Sequence, residues 1–167
     1  MNLDEVLQWY LADLDCQKSV ALLIKKSPSS LPLTSLFAGK TESEARQLID
    51  AARTELEDLT ILSLFAVFEA SVVDHLVANT TRIKSLTSDV FSAKVCEYAF
   101  EKPERWKLED ILDFFKSTIP SDIVGNVKQI YQYRNWVAHG KTRPKPISLD
   151  PRTAHTRLSD FLNRASI

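Results

Sequence analysis

Apolar residues along this chain recur at intervals of three and four, and no period-two alternation persists beyond a few residues. Leu3, Val6, Leu7, Tyr10, Leu11 and Leu14 keep the helical period, and Val20–Ile24 is apolar before Lys25 and Lys26, so residues 2–26 read as one helix or two short ones. The stretch SPSSLPLTSLFAGK that follows reads as a loop. Thr41 and Glu44 have the spacing of a capping box. From there Leu48, Ala52, Leu56, Leu59, Ser63, Ala66, Ala70, Val73 and Leu76 sustain a stripe with no Pro or Gly. The pattern predicts one helix over 42–78, a rod of roughly 55 Å. Its first half is charged and its second half apolar nearly all round, as expected of a helix solvated at one end and central to a bundle or dimer at the other.

Asn79–Arg82 is expected to break that helix. Ser88–Phe100, ended by Lys102 and Pro103, and Leu108–Phe115 read as shorter helices in a variable insert at about 85–116. Ser121, after Pro120, reads as the N-cap of a helix that stops at Gly140, the residue type favoured just past a helix end. Lys141–Pro146 is a basic, proline-rich connector. Pro151–Ala165 reads as a last helix with Leu158, Phe161 and Leu162 inward. The expected fold is all-α, a single domain over 1–167. Five to seven helices gather around 42–78 and 121–139, with 1–40 an N-terminal extension and loop and 41–165 the core.

With 167 residues, 44% hydrophobic and 26% charged, the chain has the composition of an ordinary globular domain, and three glycines suit long helices better than tight turns. A net charge of −1 gives no global attraction to nucleic acid, so any such binding must come from a local patch. Cys16 and Cys96 lack ligand spacing and read as reduced and buried; no metal and no cofactor are expected. Leu62–Val73, interrupted by Ser63, Glu69 and Ser71 and ended by Asp74 and His75, reads as too short and too polar to span a bilayer. The acidic N-terminus lacks the basic start of a signal peptide, and the default expectation is a cytoplasmic protein.

The chemistry concentrates in Tyr131–Gly140. Arg134 falls in the stripe Ile123, Val127, Ile130, Val137 and Ala138, where a cation needs a carboxylate or a phosphate to meet it. Tyr131, Asn135 and His139 are each four apart and line one face. Metal-free cleavage of RNA needs such a set: a base for the 2′-hydroxyl proton, a cation for charge on the phosphoryl oxygens and an acid for the leaving 5′-oxygen. His139 suits the acid–base role and Arg134 the phosphate. One chain offers one such histidine; a symmetric dimer would supply two across a cleft. The inert alternative pairs Arg134 with Glu69, the sole carboxylate in Leu59–Val73, and leaves His139 as a helix-end residue on the helix dipole. Spacing leaves both open. Lys141, Arg143 and Lys145 form the best basic patch, either a guide for an RNA backbone or an ordinary solvated loop. Trp136 reads as core or interface, His155 as a surface residue and Asp74-His75 as a solvated helix end.

The run Arg134-Asn135-Trp136-Val137-Ala138-His139-Gly140 resembles the Arg-x4-His signature of the HEPN superfamily. The stretch Ala51–Glu69 is similar to the long second helix of stand-alone members, including those grouped as RiboL-PSP-HEPN-like. The resemblance covers roughly residues 40–165. It implies an all-helical bundle with one long central helix, commonly a homodimer. Many members are metal-independent endoribonucleases that act as toxins or defence effectors alongside an antitoxin protein; others are catalytically silent binding or assembly modules. By resemblance Arg134 and His139 are the active pair, Asn135 orients them and Glu69 supports Arg134. Members paired with nucleotidyltransferase antitoxins often carry a tyrosine two residues after the histidine. Lys141 stands there, so the resemblance does not extend to nucleotidylation at that position.

Overall fold

A computed structural model describes residues 1–26, 31–86, 89–94 and 106–167. Among them there is no strand, and the fold is all-α. The elements are α1 (Leu3–Lys26), α2 (Glu42–Leu86), α3 (Leu108–Phe114), α4 (Ser121–Ala138) and α5 (Pro151–Ala165), with a single 3-10 turn at Phe115–Ser117 after α3. Residues 90–94 are helical, within the expected helix at 88–100; the rest of that helix and its end at Lys102-Pro103 lie outside the described residues.

The capping box forms as expected: Thr41 and Glu44 exchange bonds at the start of α2, with the Thr41 N–H donating to Glu44 Oε2 at 2.8 Å and the Glu44 N–H to Thr41 Oγ1 at 3.3 Å. The expected break at Asn79–Arg82 does not occur, and α2 runs on for 45 residues, about 67 Å. The polar side chains there turn back onto their own helix: Asn79 Nδ2 donates to the His75 carbonyl, and Thr80 and Thr81 donate to Val77. They bond to the helix instead of competing with it. Asp74-His75 is accordingly mid-helix, and the His75 ring lies 6.2 Å from that of Phe115. Ser121 is not an N-cap. Pro120 occupies that place with no side-chain cap, and Ser121 is the first helical residue. At α5 the cap is Asp150, which accepts from the Arg152 and Thr153 N–H groups ahead of Pro151.

One core joins all five helices. Ile61, Leu64, Phe65, Phe68 and Val72 of α2 pack with Val124, Val127 and Ile130 of α4, Leu158 and Phe161 of α5, Leu3 and Val6 of α1, and Ile111 and Leu112 of α3. Phe161 meets Phe68 and Phe115 edge-on, with ring centres 5.3 and 5.2 Å apart. This face differs from the stripe expected for α2. Ser63, Ala66, Ala70 and Val73 point away from the core, and Leu59 is 53% exposed. The helix turns its Phe and Leu side chains inward because they remove more apolar area from water than Ser and Ala do. A smaller cluster of Tyr10, Leu14 and Leu56 joins α1 to the charged half of α2.

As one continuous helix α2 is long and apolar enough, by length and composition, to cross a membrane, contrary to what Leu62–Val73 alone suggests. The apolar stretch does not stop at Asp74-His75 but continues beyond them. Its largest side chains, Phe65 and Phe68, are fully buried in the bundle. Cys16 is exposed, not buried as expected, because it lies on the outward side of α1; Cys96 lies outside the described residues. His155 is more enclosed than a surface position, with its Nε2 2.8 Å from Asp4 Oδ1 on α1.

Candidate functional site

The C-terminal end of α4 fixes the place of His139. It is the C-cap residue, its N–H bonded to the Asn135 carbonyl at 3.0 Å. Gly140 follows at φ 74°, its N–H donating to Val137, and the Lys141 N–H reaches back to Trp136. This double closure is the Schellman arrangement, and it requires the left-handed backbone that glycine adopts without cost. Lys141 is also left-handed, at φ 60°. An ordinary residue in that conformation needs compensation from its surroundings.

The compensation is an ion-pair network that no local sequence pattern signals. Lys141 Nζ lies 2.7 Å from Asp58 Oδ2 and 2.6 Å from Glu55 Oε1, both on α2. Asp58 is buried, and its Oδ1 accepts from the Tyr133 hydroxyl at 2.5 Å. Lys141 is therefore turned onto α2, not toward solvent as an RNA guide. Lys145 also has a local contact, although it stays exposed: its Nζ sits 5.1 Å from the ring centre of Tyr133 and 5.8 Å from that of Trp136. Of the expected basic patch, Arg143 alone keeps its charged group without a partner among the described residues.

Arg134 is not buried. The core side of α4 runs Ile123, Val124, Val127, Ile130 and Tyr133, and Arg134 lies at its edge, 37% exposed. The expected partner is correct: Arg134 Nη2 is 3.8 Å from Glu69 Oε2, and Nη1 donates to Asn135 Oδ1 at 3.1 Å. The pair is half-solvated, with Glu69 36% exposed, so the guanidinium remains within reach of another anion. Tyr131 looks the other way, stacked on Phe65 at 5.6 Å.

Beyond Asn135 and His139 a groove of about 570 Å³ opens between α4 and the segment after it. Gln132, Asn135, Trp136 and His139 form one wall and Thr142, Arg143, Pro144 and Pro146 the other. Trp136 Nε1 donates to the Arg143 carbonyl at 2.5 Å and draws that second wall over the helix end. The structure thus brings Asn135, His139 and Arg143 to one groove. It sets Arg134 beside it through the Asn135 amide, with Glu69 behind Arg134; Lys141 is turned onto α2, and Lys145 lies over the Trp136 ring without lining the groove. No group of His, Cys, Asp or Glu suited to a metal ion occurs among the described residues.

The Tyr133 phenol is held well above its usual pKa, first by burial and then by its bond to the Asp58 carboxylate. The Lys141 ammonium is also raised, by its bonds to Asp58 and Glu55. Both groups titrate higher folded than unfolded. The stability they contribute is therefore complete below their unfolded values and lost as pH rises through the folded ones. Urea midpoints are expected to hold level to about pH 9 and fall above about pH 10. Tyr133→Phe should flatten part of that fall; a midpoint independent of pH up to the lysine range would contradict the network.

No protein-family model matches this chain, no curated protein matches its sequence, and no solved structure matches its fold.

Proposed function

We propose that this protein is a metal-independent endoribonuclease of the HEPN type, working as a homodimer in a toxin or defence role beside an antitoxin protein. The observation that carries the reading is the state of the motif. The His139 imidazole is exposed at a groove and without a partner among the described residues, and Arg134 is half-solvated instead of locked in a core ion pair. Both groups can therefore reach a bound phosphodiester without breaking the core. The Arg-x4-His resemblance points to the same reaction.

In that reaction His139 accepts the 2′-hydroxyl proton, and the 2′-oxygen attacks the adjacent phosphorus. The bond to the 5′-oxygen breaks, and that oxygen leaves with a proton from the second copy's histidine. The products are a 2′,3′-cyclic phosphate and a 5′-hydroxyl. Arg134 meets the charge on the phosphoryl oxygens, with Asn135 and Glu69 orienting it. Arg143 guides the incoming strand.

The second copy is supported by α2. Leu59, Ala66, Ala70, Val73 and Val77 form an apolar face left outside the core, beside Glu69, and Leu59 and Val77 are 53% and 41% exposed. Small residues on such a face allow close helix approach. Light scattering at micromolar concentration should give twice the chain mass. A strict monomer would remove the two-histidine mechanism. The chemistry is tested by incubating RNA with the protein in EDTA and reading the ends: cyclic or 3′-phosphate with 5′-hydroxyl is the expected result, and a requirement for a divalent ion overturns the proposal.

A further inference from the structure

The groove beside His139 is better furnished than proton transfer requires. Its 570 Å³ lies within the ~300–1,000 Å³ of small-molecule sites. Among the described residues, the Gln132 amide, the Thr142 hydroxyl, the His139 imidazole and the Arg143 guanidinium have no partner, although neighbouring polar groups do. Asn135 spends its carbonyl oxygen on Arg134, which leaves its amide hydrogens for a ligand. The remaining lining is flat and apolar: Trp136, Pro144 and Pro146. The groove is also pre-shaped. Pro144 and Pro146 restrict the backbone, Lys145 between them is seated over Tyr133, and Trp136 ties the Arg143 carbonyl down.

We infer that this groove is a subsite for one unpaired nucleobase of single-stranded RNA, next to the bond that His139 would cleave. The inference rests on the reading of His139 as an RNA-cleaving residue. A base has a flat apolar face for the Trp and Pro wall, and an edge of mixed donors and acceptors for two side-chain amides. A bare phosphate matches neither feature, and one guanidinium is a sparse site for it. An aliphatic ligand would leave the amides unanswered at a desolvation cost. Paired RNA does not fit: in a duplex both faces of a base are stacked on its neighbours and its Watson–Crick edge is taken by its partner, so the base must come from a loop, an end or a single strand. Gln132 reads the base edge, and Arg143 holds the phosphate beside it.

The probes are the four 3′-nucleoside monophosphates, with ribose 5-phosphate as the baseless control, followed through the Trp136 indole N–H resonance in the full chain. Saturable shifts with at least one nucleotide and none with the control are expected. Gln132→Ala, an exposed change that leaves the fold intact, should weaken that binding about tenfold and alter base preference in RNA cleavage. Equal shifts with ribose 5-phosphate, no shift with any nucleotide, or indifference to Gln132→Ala would overturn the subsite. The two readings fail separately. RNA cleavage without nucleotide binding in the groove removes the subsite alone, and nucleotide binding without cleavage removes the nuclease alone.

Discussion

His139→Ala is expected to lower RNA cleavage by about 10²–10⁴-fold with the helical circular-dichroism signal unchanged. The imidazole is exposed and bonded to nothing among the described residues, so its loss takes no packing with it. Arg134→Ala should cost a comparable factor, because the scissile phosphate would lose the guanidinium that meets the charge on its phosphoryl oxygens. Its effect on stability separates the two readings of the motif. Both members of the Arg134–Glu69 pair are more than a third exposed, and such a pair contributes less than about 1 kcal/mol. A sealed structural pair would cost about 3–5 kcal/mol when broken. Urea unfolding of Arg134→Ala beside its cleavage rate gives the answer. Lost stability with no cleavage to lose would assign the chain to the silent interaction modules.

The largest stability change is expected at Asp58. Its side chain is 5% exposed and answers both the Tyr133 hydroxyl and the Lys141 ammonium. Asp58→Ala strands a buried phenol and leaves a cavity, while Lys141, 28% exposed, keeps Glu55 and some water. A loss of about 3 kcal/mol follows. Asp58→Asn keeps an acceptor for Tyr133 and should lose less. Equal stability of the alanine variant and the parent in urea melts would show that the network contributes nothing.

The helices were legible in the sequence where local chemistry decides them. The Thr41–Glu44 box, the Gly140 stop and the Pro151 start depend on residues within a few positions of each other. The Glu69–Arg134 pairing was legible too, because a lone carboxylate in an apolar run has few partners to choose from. What was not legible depends on distance along the chain. Nothing near Lys141 indicates that it will turn onto residues 55 and 58, and nothing in α2 indicates which of two apolar faces will meet α4. The face of α2 is decided by fitting Phe65 and Phe68 among Phe161 and Tyr131. Asp58 appeared as one charge among several on a solvated half-helix, and only the tertiary fold distinguishes it.

The unbroken length of α2 has a mechanical consequence. Without Pro or Gly a helix bends only gently, so α2 behaves as a stiff lever over its 45 residues. It carries Glu55 and Asp58, which restrain the turn after His139, and Glu69, which faces Arg134. Its distal arm offers Val77, Ile83 and Leu86 to solvent, the last 76% exposed. Glu55, Asp58 and Glu69 therefore keep fixed spacings along one rod, and Ile61, Leu64, Phe65 and Phe68 between them are clamped in the core. The turn after His139 and the arginine beside it are measured off against the same ruler.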